Sequence, residues 1–144
     1  MSWHNDYVGI QFAEKGRGKG NPVDCWGLVQ LVYAERLGIA LPDYLEDYET
    51  TDDRDTIGEH IGNVSRENWH EPATPEPFDV IILRLRGVPM HVGLVTRPGY
   101  MLHCARGVGA VHESYNSSKW RSNVMGFARH GTPGSLRSPA AVQR

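Results

Sequence analysis

The second half of the chain is a run of short segments rich in β-branched residues, and this pattern restricts the fold more than any other. Glycine or proline separates the segments, as is typical of strands joined by tight turns. Their sequences are FDVIILRLRG, PMHVGLVTR, YMLHCAR, AVHESY and VMGFARH, between residues 78 and 130. The first half has helical periodicity instead. Helices followed by a run of strands predict an α+β domain with an antiparallel sheet.

The first half contains one strong helical pattern and two weaker ones. From Asp24 to Leu37 apolar residues recur with a helical period, which Gly38 ends. A short helix is expected from Asn5 to Glu14, with its cap at the start of the segment. A third pattern lies within residues 53–68, where two glycines weaken it. We therefore expect helices to pack on the sheet from the N-terminal side of the sequence.

The length and composition suit one domain and exclude several classes of function. The chain has 144 residues and a formal net charge of −2, so no global field attracts nucleic acid or an anionic membrane. No segment approaches the ~18 apolar residues of a membrane span. The first residues lack the cationic and apolar regions of a secretory signal peptide, so that route of export is not expected. We expect a single domain over residues 1–130 and a loose, polar C-terminal tail over residues 131–144.

Cys25 lies at the start of the strongest predicted helix, in the sequence NPVDCWGLVQLVY. A helix N-terminus carries about half a positive charge and unpaired N–H groups, which favour a thiolate. The Cys25 N–H could also stabilise an oxyanion. This position therefore favours an activated nucleophile. The preceding residue, Asp24, is better explained as the helix cap than as a catalytic acid.

A thiolate nucleophile needs a base and a group that orients the base, and two histidines on consecutive predicted strands are candidates. A three-residue loop at 97–99 would place His103 opposite Gly93, with His91 as its diagonal neighbour, close enough for an imidazole–imidazole hydrogen bond. A two-residue Pro98-Gly99 turn would put the histidines on opposite faces, unless a bulge restored the register. The sequence leaves these alternatives open.

A zinc site is a weaker alternative for the same region. His91, His103, Cys104 and His112 are residue types that bind zinc. Adjacent residues of a strand point to opposite faces, so His103 and Cys104 do not easily share one tetrahedral centre. We therefore predict no metal and no cofactor. Cys104 is interpreted as a small buried apolar residue.

Three short stretches resemble a known family. DCWGLV, HVGLV and MLHCA resemble, in order and spacing, the motifs of the NlpC-type cysteine endopeptidases of bacterial cell walls. YVGIQF and EPFDVIIL also resemble that family, so the likeness extends over residues 5–106. It implies a papain-like fold, with N-terminal helices packed on a central antiparallel sheet. It also implies Cys25 as nucleophile, His91 as general base and His103 as the group that orients His91.

The resemblance also implies a substrate and a biological setting. Family members usually cleave peptidoglycan stem peptides, often between D-glutamate and a diamino acid. Trp26 stands where serine is common, and with LGIALPDY it resembles a subgroup encoded among phage tail genes. Trp26 is expected to pack beside the cleft or to support substrate. Tyr7 is a candidate for the upstream tyrosine that helps to bind the oxyanion in this family.

These observations together predict a cysteine endopeptidase made in the bacterial cytoplasm and delivered to the cell wall in a phage-like tail. Its partners would be the peptide substrate and tail-tip or hub proteins, with the acidic loop at 42–55 and the C-terminal tail as candidate docking surfaces. An alternative function of a different class is that of a structural tail component derived from a peptidase. A third possible function is that of an acyltransferase or amidase with the same nucleophile.

Overall fold

The computed structural model describes residues 3–13, 22–41, 69–85 and 88–131 of the 144-residue chain. The helical pattern at 53–68, the acidic loop at 42–55 and the tail beyond residue 131 lie outside the described residues. Within those ranges, no helix is long and apolar enough to cross a membrane.

The helix that begins at the first cysteine is the principal helix of the described chain. α1 spans Cys25–Val32, and its last turns widen into a π-helix at Tyr33–Leu37. It ends at Gly38, whose φ of 68° is a left-handed conformation that glycine adopts at little cost. The predicted start and end of this helix are confirmed. Its buried residues form one core with the sheet.

The N-terminal segment does not form the predicted helix over Asn5–Glu14. A short 3₁₀ helix spans Trp3–Asp6 and a turn follows it. Gly9 has a φ of 99° and donates from its N–H to the Ala110 carbonyl over 2.9 Å, while Ile10 accepts from the Ala110 N–H. The backbone after residue 8 is therefore bound to a strand rather than to its own next turn, which is why the helical prediction was wrong.

Six strands form one antiparallel sheet in the order β1-β6-β2-β3-β4-β5. The five predicted strands are confirmed, and the additional β1 was too short to be recognised from its pattern. The strands are β1 Trp69–His70, β2 Val80–Leu85, β3 Val88–Arg97, β4 Tyr100–Ala105, β5 Gly109–Ser114 and β6 Val124–His130. The predicted α+β class, with a helix packed on an antiparallel sheet, is therefore confirmed.

The two faces of the sheet bury different clusters. α1 packs against β3 and β4, and its side chains share a core with Val92, Leu94 and Leu102. A second cluster lies on the other face and includes Leu83, Met101 and Trp120, among others. Side chains alternate along a strand. The strand residues that lie between members of the first core therefore point to the face that carries the second cluster.

The β3–β4 hairpin has a two-residue turn at Pro98-Gly99 and a bulge. Arg97 pairs with Tyr100, but Val95 pairs with Met101, so Thr96 is the extra residue of the bulge. The bulge shifts the register by one residue and brings Gly93 opposite His103. The register that aligns the histidines is therefore the one present, and the bulge rather than a three-residue loop produces it.

At Gly93 the strands β3 and β4 leave no room for a side chain. A Cβ atom placed there would lie 2.9 Å from the His103 Cβ and 2.9 Å from the Leu102 carbonyl oxygen. Gly126, in β6 of the same sheet, has no atom within 4 Å of such a Cβ. The two glycines thus form a matched pair, one confined and one open.

We expect Gly93→Ala to lower the free energy of unfolding by about 1–3 kcal/mol, the usual cost of overpacking. Gly126→Ala should change it by less than about 1 kcal/mol, because the added methyl group meets nothing. Equilibrium urea denaturation of both variants measures the difference. Equal effects in the two variants would contradict the confinement at Gly93.

Candidate active site

The start of α1 is fixed by Asp24. Its carboxylate Oδ1 accepts a hydrogen bond from the Gly27 N–H over 2.6 Å, and the residue is fully buried. The interpretation of Asp24 as the helix cap is therefore confirmed. Cys25 is the first residue of the helix and exposes 2% of its surface. The strands against which its helix packs, β3 and β4, are those that carry the two candidate histidines.

The two histidines form a direct hydrogen bond. His91 Nε2 and His103 Nδ1 are 2.8 Å apart, and the rings meet edge to face with their centroids 5.0 Å apart. Both residues are buried, and the space next to Gly93 holds the His103 side chain. The imidazoles also contact the Trp120 ring, and Cys25 is buried in the core cluster to which α1 contributes. The predicted imidazole–imidazole contact is present.

Glu113 extends this pair, and the sequence analysis did not single it out. Its Oε2 atom lies 2.6 Å from His103 Nε2, and its side chain is 30% exposed. In the β4–β5 pairing Val111 lies opposite His103, so Glu113 is the diagonal neighbour of His103 on the same face. Applying register reasoning to the second hairpin as well as the first would have identified it.

Trp120 covers the histidine pair and was also missed. Its ring stacks on His91 at a centroid distance of 6.0 Å and meets His103 edge to face at 5.3 Å. Trp120 is itself buried, and the Lys119 ammonium lies 5.3 Å from the centre of its ring. Trp120 comes from the turn region before β6, so no strand pattern places it beside the histidines.

Burial controls the charge of the pair. Burial, together with the nearby His103, lowers the pKa of His91 to about 3, so this imidazole is neutral at pH 7. Burial also lowers the pKa of His103, against the opposing effect of the Glu113 carboxylate. Burial raises the pKa of Glu113, but the hydrogen bond and the charge of His103, together with the Trp120 hydrogen bond and the charge of Lys119, outweigh that effect and lower the pKa. The resting site therefore contains two neutral imidazoles and one carboxylate.

The hydroxyl of Tyr7 contacts residues in the C-terminal part of the helix that begins at Cys25. It donates to Glu35 Oε1 over 2.7 Å and accepts from Arg36 Nε over 3.2 Å. These partners follow Cys25 by ten or more residues, which is roughly 15 Å along a helix. The tyrosine thus ties the N-terminal segment to the far end of the helix. Burial, with the Glu35 hydrogen bond, raises the pKa of Tyr7 to about 12.

Trp26 packs in the interior. The residue exposes 3% of its surface and its ring lies 6.5 Å from that of Trp69, at a tilt of 57°. Of the two roles considered for Trp26, the structure shows the packing role. Trp69 belongs to β1, so this contact joins α1 to the edge of the sheet.

Two of the four candidate zinc ligands, Cys104 and His112, contact other groups instead of the histidine pair. Cys104 Sγ contacts the Val23 carbonyl oxygen at 3.5 Å, on the α1 side of the sheet. His112 stacks on His4 at 3.7 Å and shares a hydrogen bond of 2.8 Å with Thr96 Oγ1. In the part of the chain that the structure describes, no three His, Cys, Asp or Glu side chains are grouped as metal ligands would be.

Comparison with known proteins places this arrangement in a family. The model of the NlpC/P60 family matches residues 11–129. The chain belongs to the NlpC/P60 family. The match includes Cys25, both histidines and Glu113, and it begins four residues after Tyr7.

Relatives and solved structures agree with this membership. The chain is 25% identical over 121 residues to the murein DD-endopeptidase MepS/murein LD-carboxypeptidase of Escherichia coli K12, and the proteins of strains O6:H1 and O157:H7 match equally. The match covers 84% of this chain but 56% of the relative, so the chain spans about half the length of these curated relatives.

Two solved structures illustrate the shared fold. A lipoprotein-like NLP/P60 protein from Staphylococcus aureus has a TM-score of 0.63 at 18% identity, over 90% of this chain and 39% of that one. NlpC1 from Trichomonas vaginalis has a TM-score of 0.59 at 22% identity, over 90% of this chain and 42% of that one. At these identities the likeness shows the fold alone.

The cap of α1 gives a prediction about stability. Asp24→Ala removes the acceptor of the Gly27 N–H and should lower the free energy of unfolding by about 0.5–2 kcal/mol. Asp24→Asn keeps an acceptor oxygen and should retain most of that stability. Urea denaturation at pH 7 measures both variants. Equal losses in Ala and Asn would show that the charge of Asp24, rather than the cap bond, matters.

Proposed function

We propose that this protein is a cysteine peptidase that hydrolyses peptidoglycan stem peptides. The observation that carries the proposal is the hydrogen-bonded pair His91–His103, whose first member is neutral at pH 7, on the strands against which the Cys25 helix packs. A neutral imidazole can accept the thiol proton, and a second imidazole can hold it in orientation. Membership of the NlpC/P60 family supports the same assignment.

In the proposed reaction Cys25 is the nucleophile and His91 the general base. His91 accepts the thiol proton, and the sulfur attacks the amide carbonyl to form a tetrahedral intermediate. The N-terminal N–H groups of α1, that of Cys25 included, stabilise the oxyanion. The resulting imidazolium donates its proton to the leaving amine as the C–N bond breaks. Water, deprotonated by His91, then hydrolyses the thioester and restores the thiol.

Murein peptides are the proposed substrate class because of the relatives. The E. coli relatives are named as a murein DD-endopeptidase and murein LD-carboxypeptidase. The resemblance of the Cys25 motif to cell-wall endopeptidases supports the same class.

We further propose that the protein is made in the bacterial cytoplasm and reaches the wall in a phage or phage-like tail. The support is the DCWGLV motif with Trp26 after the cysteine, followed by LGIALPDY, which resembles the tail-associated subgroup. Tail-tip or hub proteins would then be its partners. Co-sedimentation of the protein with assembled tails tests this delivery route, and its absence from purified particles would contradict it.

Purified muropeptides provide the direct test of activity. We expect the native protein to cleave them, and Cys25→Ala to lower the rate by at least about 10³-fold, the scale on which loss of a nucleophile acts. Cys104→Ala is the matched control, because it removes the other cysteine without touching the histidine pair. Mass spectrometry of the products identifies the bond cleaved.

The other outcomes separate the rival functions. No cleavage by the native protein, with normal tail assembly in Cys25→Ala, would support a structural role. Transfer of the acyl group to an added amine, in place of hydrolysis, would support an acyltransferase. Cleavage that persists in Cys25→Ala would exclude the proposed nucleophile.

The pH dependence of thiol alkylation tests whether Cys25 and His91 share a proton. Stabilisation of the thiolate extends its reactivity to lower pH, so iodoacetamide should modify Cys25 well below pH 8.5, the usual thiol pKa. In Cys25→Ala no reaction is expected below pH 9, since burial and the nearby Asp24 raise the pKa of Cys104 to about 12. Mass spectrometry of Cys104→Ala isolates the Cys25 profile. A profile centred near pH 8.5 would contradict a stabilised Cys25 thiolate.

A further inference from the structure

A chain of hydrogen bonds crosses three neighbouring strands. His91 on β3 contacts His103 on β4 at 2.8 Å, and His103 contacts Glu113 on β5 at 2.6 Å. Both ring nitrogens of His103 are therefore engaged, one by an imidazole and one by a carboxylate. His103 exposes 1% of its surface, so these two groups are what hold its ring.

We propose that Glu113 is a positioning residue that fixes the tautomers of both histidines and so leaves the correct nitrogen of His91 free for the thiol. The role of Glu113 in the reaction rests on the proposed function. Its effect on the histidine tautomers of the resting protein is independent of that function. Glu113 would act on the reaction only through His103 and would not contact the substrate.

The proton positions follow from the inventory of donors and acceptors. An ionised carboxylate only accepts, so the 2.6 Å contact requires a proton on His103 Nε2. A neutral imidazole has one N–H, so His103 Nδ1 must then accept. The 2.8 Å contact therefore requires a proton on His91 Nε2. His91 Nδ1 is left as the unprotonated nitrogen, which is the atom that a general base needs.

The Glu113 carboxylate also affects the histidine pair when that pair is protonated. When His91 accepts the thiol proton, the positive charge is shared along the chain and Glu113 stabilises it. Lys119 opposes this effect, because its positive charge acts on both His103 and Glu113. The Trp120 ring covers the pair and limits screening by water. Removal of the carboxylate should therefore lower the pKa of the imidazolium and favour its deprotonation.

A purely structural ion pair would give a different result. Glu113 is 30% exposed and lies at the edge strand, where salt bridges contribute little to stability. If Glu113 only held β5 in place, its loss would alter stability but leave the tautomers and the pH profile unchanged. The experiment therefore needs readouts of proton position as well as of activity.

The first readout is the tautomer of each histidine, from ¹⁵N spectra of the full chain labelled on histidine. In the native protein we expect a proton on Nε2 of both His91 and His103. Glu113→Ala removes the acceptor, so both residues should become tautomer mixtures. Glu113→Gln can still accept through its amide oxygen and should keep the native tautomers. Glu71→Gln removes an exposed carboxylate near the opposite sheet edge and is the matched control.

The second readout is the pH profile of kcat/KM with muropeptides. Protonation of His91 removes the base, and loss of the nearby negative charge lowers the pKa of the protonated imidazole, so the acid limb should move to lower pH by about one unit in both Glu113 variants, the lower range for loss of a nearby charge. We also expect kcat to fall about tenfold in Glu113→Ala, with KM nearly unchanged, because the lost interaction acts in the transition state. The fall in kcat should be smaller in Glu113→Gln, and Glu71→Gln should keep the native kcat.

Failure of this inference and failure of the proposed function are distinguishable. If the native protein does not cleave muropeptides, the proposed function fails, while the spectra still decide whether Glu113 fixes the tautomers. If the native protein is active and Glu113→Ala keeps both the tautomers and the acid limb, the positioning role is overturned. Circular dichroism confirms that each variant is folded, and Glu113→Gln, which is isosteric, covers the case in which Glu113→Ala unfolds.

Discussion

The close approach of β3 and β4 at Gly93 and His103 is the constraint on which the candidate site depends. A side chain at residue 93 would occupy the space of the His103 Cβ and of the neighbouring backbone carbonyl. With glycine there, the two strands pair without distortion, and the imidazole of His103 lies beside that of His91. The bulge at Thr96 sets this register, so a detail of the turn controls chemistry five residues away.

Burial gives this arrangement its electrostatic character. Isolated histidines titrate near neutrality, but burial lowers the pKa of His91 to about 3 and also lowers that of His103. A buried pair of histidines without a hydrogen-bond acceptor would have no preferred proton arrangement. Glu113 supplies that acceptor from the partly exposed edge strand, where a carboxylate can remain ionised. The site thus combines a dry interior with one charged group at its margin.

The helix side of the molecule contributes position rather than charge. Asp24 caps α1 from a fully buried location, and Gly38 ends the π-helix that follows it. Tyr7 and Arg36 fasten the N-terminal segment to the far end of the same helix. Cys25 is thereby held at a fixed point against the sheet, which is what the proposed role as nucleophile requires. The same framework explains how the NlpC/P60 fold accepts Trp26, because its ring is absorbed by the core beside Trp69.

The sequence by itself determined the class of fold, the five main strands, the helix from Cys25 and its cap at Asp24, because these depend on local periodicity and on short-range hydrogen bonds. Order and spacing of the motifs also singled out Cys25, His91 and His103. Only the tertiary structure decided the hairpin register, since a one-residue bulge reverses which face a side chain occupies. It alone brought Glu113 and Trp120 to the histidines and Tyr7 to Glu35 and Arg36, because contacts between distant segments leave no local pattern in the chain.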